Sequence, residues 1–463
     1  MNENEILGLL KDALAAYRRF NFVEYVSKLE SARDLIGEAG DPPHLLGEWN
    51  IIAAMPDWNF IDRLIPALEN AWELLQGPSK VIEPGTPLLL DRYEPFGTLL
   101  QEAGRSEELI PLVQEAEALW LKLAGGGQGT TAVYLAKLRY YQGRLAEAKD
   151  LAWEGYRKAE AGNQVLTQIC AAETIGLLTR HGMGSADRAM AFLRKVRSGS
   201  VTSDKTCIQS SQIILCGLYL AMGVMTETPD WIKTGDFGMA SCPSPPGWYM
   251  LEDKISPWLF PSALIMRMQY LCYSGHFVDA LNLADMAQNI FKIRFPIMDL
   301  YFDFWRASCF ENLGDIDRFR TSLASLVNNC VADKLWLIPG ESEMYKSEIL
   351  LLAKEHGTEA VERISSIGQG LLDTMKPLRE SYLQATFLKG MTPREYNIAK
   401  LIYAGASNAE VAEELHISEQ TVKNHLRRVY EKLEIGSRRE IAGVLEGAGD
   451  EIYAFWTDLK KNK

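Results

Sequence analysis

Five glycines punctuate this chain in the same local setting, and that recurrence limits what it can fold into. QGRLAEA, SGHFVDA and MGSADRA carry Gly143, Gly275 and Gly184, followed five positions later by Ala148, Ala280 and Ala189; AGRSEEL with Gly104 and LGDIDRF with Gly314 are looser copies. Gly104 to Gly143 spans 39 positions, Gly143 to Gly184 spans 41, and Gly275 to Gly314 spans 39, a period expected of stacked helical hairpins. Apolar residues at helical spacing fill the intervening stretches, whereas the alternation a strand needs is scarce. Each Gly supplies the left-handed residue that ends one helix, and the small residue after it lets the next helix approach closely. The expectation is an all-α fold with a helical repeat array over residues 1–385, in which these residues are structural rather than catalytic.

Two stretches interrupt the array. GPSKVIEPGTP, Gly77 to Pro87, reads as a loop. Met225 to Pro261 holds Pro229, Pro243, Pro245, Pro246, Pro257 and Pro261 among Trp231, Trp248, Tyr249, Trp258 and Phe260, and reads as an insertion. Long aromatic loops on a rigid array often line a binding surface, which makes Trp231, Trp248, Tyr249 and Trp258 candidates for meeting a ligand or partner. The alternative is that these rings cover the concave face or plug one end. A third stretch, AGGGQGTT from Ala124 to Thr131, resembles a phosphate cradle but lacks the Lys of G-x-x-x-x-G-K-[ST] and lies between helices, so it reads as a connection.

The balance of 48 Lys+Arg against 61 Asp+Glu, a net charge of -13, argues against a surface with general affinity for nucleic acid or anionic membranes. Any DNA contact must be local. Between Met391 and Leu445 eight bases (Arg394, Lys400, Lys423, Arg427, Arg428, Lys432, Arg438, Arg439) meet eight acids, so the whole acidic surplus lies elsewhere. The seven cysteines are scattered and never spaced as C-x-x-C, which suits a reduced cytoplasm. The N-terminus lacks signal-peptide character and no run approaches a membrane span, so a cytoplasmic, membrane-free protein is expected. Neither metal-ligand spacing of the six histidines nor a nucleophile elbow is present, and no cofactor or enzymatic activity is expected.

The informative segment is MTPREYNIAKLIYAGASNAEVAEELHISEQTVKNHLRRVYEKLEIGSRREIAGVL. Thr392, Ser407 and Ser437 each precede a Glu by three positions (Glu395, Glu410, Glu440), the reciprocal capping box that starts a helix, and Pro393 suits the first helical position. Ser418 opens a further helix after a short turn through His416, giving a helix-turn-helix connection. On that helix Val422, Leu426, Val429 and Leu433 fall on one stripe. Gln420, Lys423, Asn424 and Arg427 then share the opposite side, flanked by Arg428 and Lys432. Cationic and amide side chains on one helix face are what base edges in the major groove can bond, and Ser418 and Thr421 at the helix start can meet a phosphate. A packing or phosphate role is favoured for His425 over pH sensing.

T-P-R-E, A-G-x-S-N-x-E-[IV]-A, I-S-x-x-T-V-K-N-H-L, K-L-x-[IV] and S-R-x-E together resemble the LuxR-type (NarL/FixJ-like) helix-turn-helix domain of transcription regulators, without gaps over about an eighth of the chain. The resemblance implies a four-helix module over 386–448, with Lys423, Asn424 and Arg427 facing bases and Ser418, Thr421, Arg428, Lys432 and Arg438 near phosphates. It also implies dimers through the last helix, from Ser437 towards Leu445. Ala409 and Glu434 depart from the common pattern and lower the local positive charge. The repeats resemble tetratricopeptide arrays, nearest to those of MalT-type regulators, whose nucleotide-binding domain has no counterpart motif here. Residues 449–463 form a tail in which Ile452, Tyr453, Phe455 and Trp456 precede a basic end, expected to pack back on a neighbour.

The expected function is a DNA-binding transcription regulator, pairing as a homodimer on double-stranded DNA, with a small-molecule or protein effector acting on the repeats. The alternative is a protein-interaction scaffold whose C-terminal module reads no DNA.

Overall fold

A computed structural model describes residues 3–19, 21–57, 60–88, 95–220, 228–237, 239–241, 248–250, 259–290, 296–342, 345–383, 393–403, 405–415, 417–433 and 435–441. Its helices are α1 (Glu3–Arg18), α2 (Phe22–Glu38), α3 (Pro43–Ala53), α4 (Ile61–Leu75), α5 (Pro95–Leu99), α6 (Leu109–Ala124), α7 (Thr130–Tyr141), α8 (Leu145–Ala161), α9 (Val165–Thr179), α10 (Asp187–Arg197), α11 (Lys205–Leu220) and α12 (Asp230–Thr234). The series continues with α13 (Phe260–Tyr273), α14 (Phe277–Ile290), α15 (Pro296–Leu313), α16 (Ile316–Val331), α17 (Leu337–Glu341), α18 (Lys346–Ala353), α19 (Thr358–Leu383), α20 (Pro393–Tyr403), α21 (Asn408–Glu414) and α22 (Glu419–Leu433). The fold class is all-α. Among the described residues no helix is long and apolar enough to cross a membrane.

The repeat glycines sit where the sequence places them. Gly143 (φ 73°), Gly275 (φ 77°) and Gly314 (φ 81°) turn α7 into α8, α13 into α14 and α15 into α16, and Ala148, Ala189 and Ala280 are fully buried between the helices they let approach. Asn21 and Asp315 cap α2 and α16, each accepting from the backbone N–H three residues on, which satisfies one of the orphan donors at a helix start. The loop from Gly77 to Pro87 is held from outside itself: the buried Glu48 accepts from the Ser79 hydroxyl and the Lys80 amide. The Ala124–Thr131 connection does cradle an anion, but an internal one. The amides of Gly129 and Thr131 donate to the Glu117 carboxylate at 2.8 and 2.7 Å, and that of Gly127 to Gln164.

The insertion is the one place where strand appears among the described residues. β1 (Met239–Ser241) and β2 (Trp248–Met250) pair antiparallel, with Ala240 opposite Tyr249. Residues 242–247 between them lie outside the described residues, and an aromatic pair such as Trp248-Tyr249 suits a strand. Trp231 is half-buried against Phe237, which stacks edge-on with Phe260. It is built into the wall of the array rather than displayed on a loop. The side chains of Trp248 and Tyr249 and the whole of Trp258 lie outside the described residues.

The described residues form two main hydrophobic cores, one running from Ile6 to Ile367 and a smaller one from Ile398 to Ile441, with a satellite of Cys216, Leu220 and Ile232 that shares Trp231 with the first. In the larger, the array closes on itself. Asp333, past the end of α16, accepts from the amides of Gly104 and Ser106 at 2.7 and 2.8 Å. A Cβ at Gly143 would meet Ile367 of α19 at 2.4 Å. Helices α7, α9, α11, α13 and α15 thereby enclose an inner space, with α17 seated across it.

Candidate nucleic-acid interface

The smaller core is built from the predicted stripe. Val422, Leu426, Val429 and Leu433 of α22 are buried against Ile398, Ala399 and Ile402 of α20 and Val411 and Ala412 of α21. Two of the three predicted helix starts fall within the described residues. Ser407 and Glu410 form the complete capping box of α21. At Ser437 the geometry differs: Glu440 takes the Ser437 hydroxyl at 2.6 Å and the amide of Gly436, one residue earlier than a capping box requires. Thr392 and His416 lie outside the described residues, as do residues 442–463, which include the second half of the expected dimer helix and the whole tail.

Between α21 and α22 lies a tight helix-turn-helix corner. The Arg394 guanidinium, buried beneath it, donates to the Leu415 carbonyl at 2.9 Å and so ties α20 to the end of α21. Burial pulls that guanidinium down to about 10, with nearby Tyr270 opposing. At the start of α22, Ser418 accepts from the Thr421 amide at 3.1 Å and shares a 2.8 Å hydroxyl–hydroxyl bond with it. Both side chains are therefore already oriented at the positive end of the helix.

The three residues expected to face bases come together. Lys423, Asn424 and Arg427 are all exposed; Gln420 donates to Asn424 at 3.3 Å, and Arg427 lies 3.9 Å from Glu431. That last pair is solvent-exposed and weak. The cations expected near phosphates each bond a protein group. Lys432 pairs with the buried Glu395 at 2.8 Å, Arg438 donates to the Ala406 carbonyl and to Asn408 at the start of α21, and Arg428 donates to Asn312 of α15 at 3.0 Å. Ser418 and Thr421 border a hollow with Gly275 and His276 at the α13–α14 turn. This side of the module thus rests against the repeat array. Sequence reasoning missed the roles of Arg394 and Glu395, because a capping-box reading explains both letters locally while their partners lie 21 and 37 positions away.

His425 is buried within the module, and burial first, then the charges of Arg394, Arg428 and Lys432, lower its pKa to about 4 against the opposing pull of Glu395. Its folded value lies below its ordinary 6.5, so the unfolded chain binds more protons between those values. Stability is then fully present above pH 6.5 and lost as pH falls towards 4. We expect acidification across this window to destabilise the C-terminal module by about 2–3 kcal/mol, read as its urea midpoint, and His425→Gln to flatten the dependence. An unaltered profile in the variant would contradict the assignment.

Residues 389–445 match the family described as bacterial regulatory proteins, luxR family. Over 50 residues the chain is 44% identical to the HTH-type transcriptional regulator MalT of Vibrio campbellii. It is 41% identical over 56 residues to MalT of Vibrio cholerae and 42% over 50 to MalT of Yersinia pestis. These stretches cover 11–12% of this chain and 6% of each relative's length. Sequence match, capped helices and corner geometry agree: the C-terminal segment at 389–445 is a LuxR-family helix-turn-helix domain.

Proposed function

We propose that this chain is a sequence-specific DNA-binding transcription regulator whose helical repeat region senses a small molecule or partner protein and sets how the C-terminal domain is presented or paired. The observation that carries this reading is the joint exposure of Lys423, Asn424 and Arg427 on the side of α22 opposite its buried stripe. One helix is a weak anchor, so two domains on half-sites about one helical turn apart are expected. Selection of bound fragments from a random duplex pool should recover a dyad-symmetric site, with affinity falling steeply as salt rises. Equal affinity for all duplexes would contradict it.

The sensing half of the proposal is supported by the Arg428–Asn312 bond and by the position of Ser418 and Thr421 beside Gly275. An effector acts only if it binds one arrangement better than the other. Asn312→Ala removes an anchor of the docked arrangement, and we expect it to tighten duplex binding about 2–10-fold, measured by fluorescence anisotropy. Unchanged or weaker binding would count against docking as the controlled step.

The scaffold reading draws on a specific observation too: Arg428, Lys432 and Arg438 are engaged with protein groups. It expects Lys423 and Arg427 substitutions to leave function intact.

A further inference from the structure

The space enclosed by α7, α9, α11, α13 and α15 holds a cavity of about 280 Å³. Two features of its wall bear on what it could hold. First, four charged side chains line it in two pairs. Lys137 Nζ lies 2.6 Å from Glu173 Oε2, and Arg180 Nη1 lies 3.1 Å from Glu341 Oε2, whose other oxygen is 2.6 Å from the buried His181. Second, the rest of the wall is rich in rings, with Tyr140, Tyr141, Tyr273, Tyr301, Phe304 and Trp305 contributing. Trp305 is 7% exposed, and its indole N–H has no acceptor among the described residues.

A wall serving stability alone would be filled with apolar side chains, because buried ion pairs rarely repay their desolvation. Ionisable groups gathered around a concave space mark a functional site more often than a structural one. The charges also say what fits. Two cations and two carboxylates sum to zero, so an ion entering would leave a charge uncompensated at low dielectric, whereas a neutral or zwitterionic molecule would not. The rings favour another ring edge-on or offset-stacked, and the volume admits one ring with short substituents.

We infer that this cavity is the effector site of the repeat region and takes a small, single-ring aromatic molecule of zero net charge, its ring among the tyrosines and Trp305 and its polar ends at the two ion pairs. The inference rests on the reading of the repeat region as a sensor. Four probes of one shape test it by isothermal titration calorimetry on the full chain: L-tyrosine (zwitterion), tyrosol (neutral), tyramine (cation) and hydroxyphenylpropionate (anion). L-tyrosine or tyrosol is expected to bind at a single site with sub-millimolar Kd, and both charged probes about ten-fold more weakly or worse. Leu177→Trp, which fills the cavity from its wall, should abolish binding. Tyr301→Phe, which keeps the ring and the fold, should weaken it about 3–10-fold. Equal binding of all four probes, binding that survives Leu177→Trp, or no binding of any probe at millimolar concentration overturns the inference. No DNA is present in the titration, so a negative result leaves the DNA-reading proposal standing; loss of duplex recognition with intact probe uptake would strike that proposal and spare the cavity.

Discussion

Replacing Lys423 and Arg427 together with alanine is expected to weaken binding to the selected duplex by about 2–5 kcal/mol, roughly 30-fold to several thousand-fold, while leaving the fold unchanged. Both side chains are exposed, and the stripe that holds α22 in place lies on its other side. Circular dichroism and the melting temperature should therefore match the parent protein. Binding to unrelated duplex should fall less, since that affinity comes from phosphates rather than base edges. The diagnostic result is a collapse of the ratio between cognate and unrelated DNA, with Arg427→Ala alone relaxing preference at one base pair for about 1–3 kcal/mol. If the double variant bound the selected site as tightly as the parent, α22 would not be the reading helix and the scaffold alternative would gain.

Arg180→Ala is expected to cost the repeat region about 3–5 kcal/mol. The Arg180 guanidinium and the Glu341 carboxylate are both largely buried, and they join the end of α9 to α17 across 161 positions of sequence. Burial alone would pull Arg180 down and push Glu341 up. Their mutual attraction, with His181 bonding to Glu341, outweighs burial and holds the guanidinium above and the carboxylate below their ordinary values. Removing the cation leaves a largely buried carboxylate with only the imidazole and the distant Tyr140 hydroxyl for support. Arg180→Met combined with Glu341→Met should recover most of the loss, because no charge is then stranded. Urea denaturation of both variants beside the parent would read the loss and its recovery. A single-variant cost below about 1 kcal/mol would mean that solvent screens the pair and that the closure of the array is held by Asp333 and Ile367 instead.

Much of the helix-turn-helix domain was legible in the chain because its logic is local. A hydroxyl three residues before a Glu starts a helix, and four apolar residues on one stripe orient it, so Ser407 and Val422 could be read within a few turns of their own positions. The repeats were legible for the same reason: a Gly turn and a small residue five positions later are a contact between consecutive helices. Contacts that no local pattern announces were not legible. Glu440 looked like a capping residue and bonds one amide earlier. Arg428, Lys432 and Arg438, expected near phosphates, also hold Asn312, Glu395 and Asn408, partners 30 to 116 positions away. The aromatic insertion drew attention as a binding surface, yet its Trp231 packs into the wall, and the enclosed cavity is lined by residues no local pattern singled out.

By itself, then, the sequence determined the class of fold, the period of the array, the capped start of α21 and the inward face of α22, since each follows from interactions within about a turn or two along the chain. Tertiary structure alone decided that the array closes, through Asp333 on Gly104 and Ile367 on Gly143, and that Lys137, Glu173, Arg180 and Glu341 meet around one space. The physical reason is distance in sequence: a charge in a helix is equally well satisfied by water or by a partner 160 residues away, and only the superhelical path of the packed hairpins selects between them.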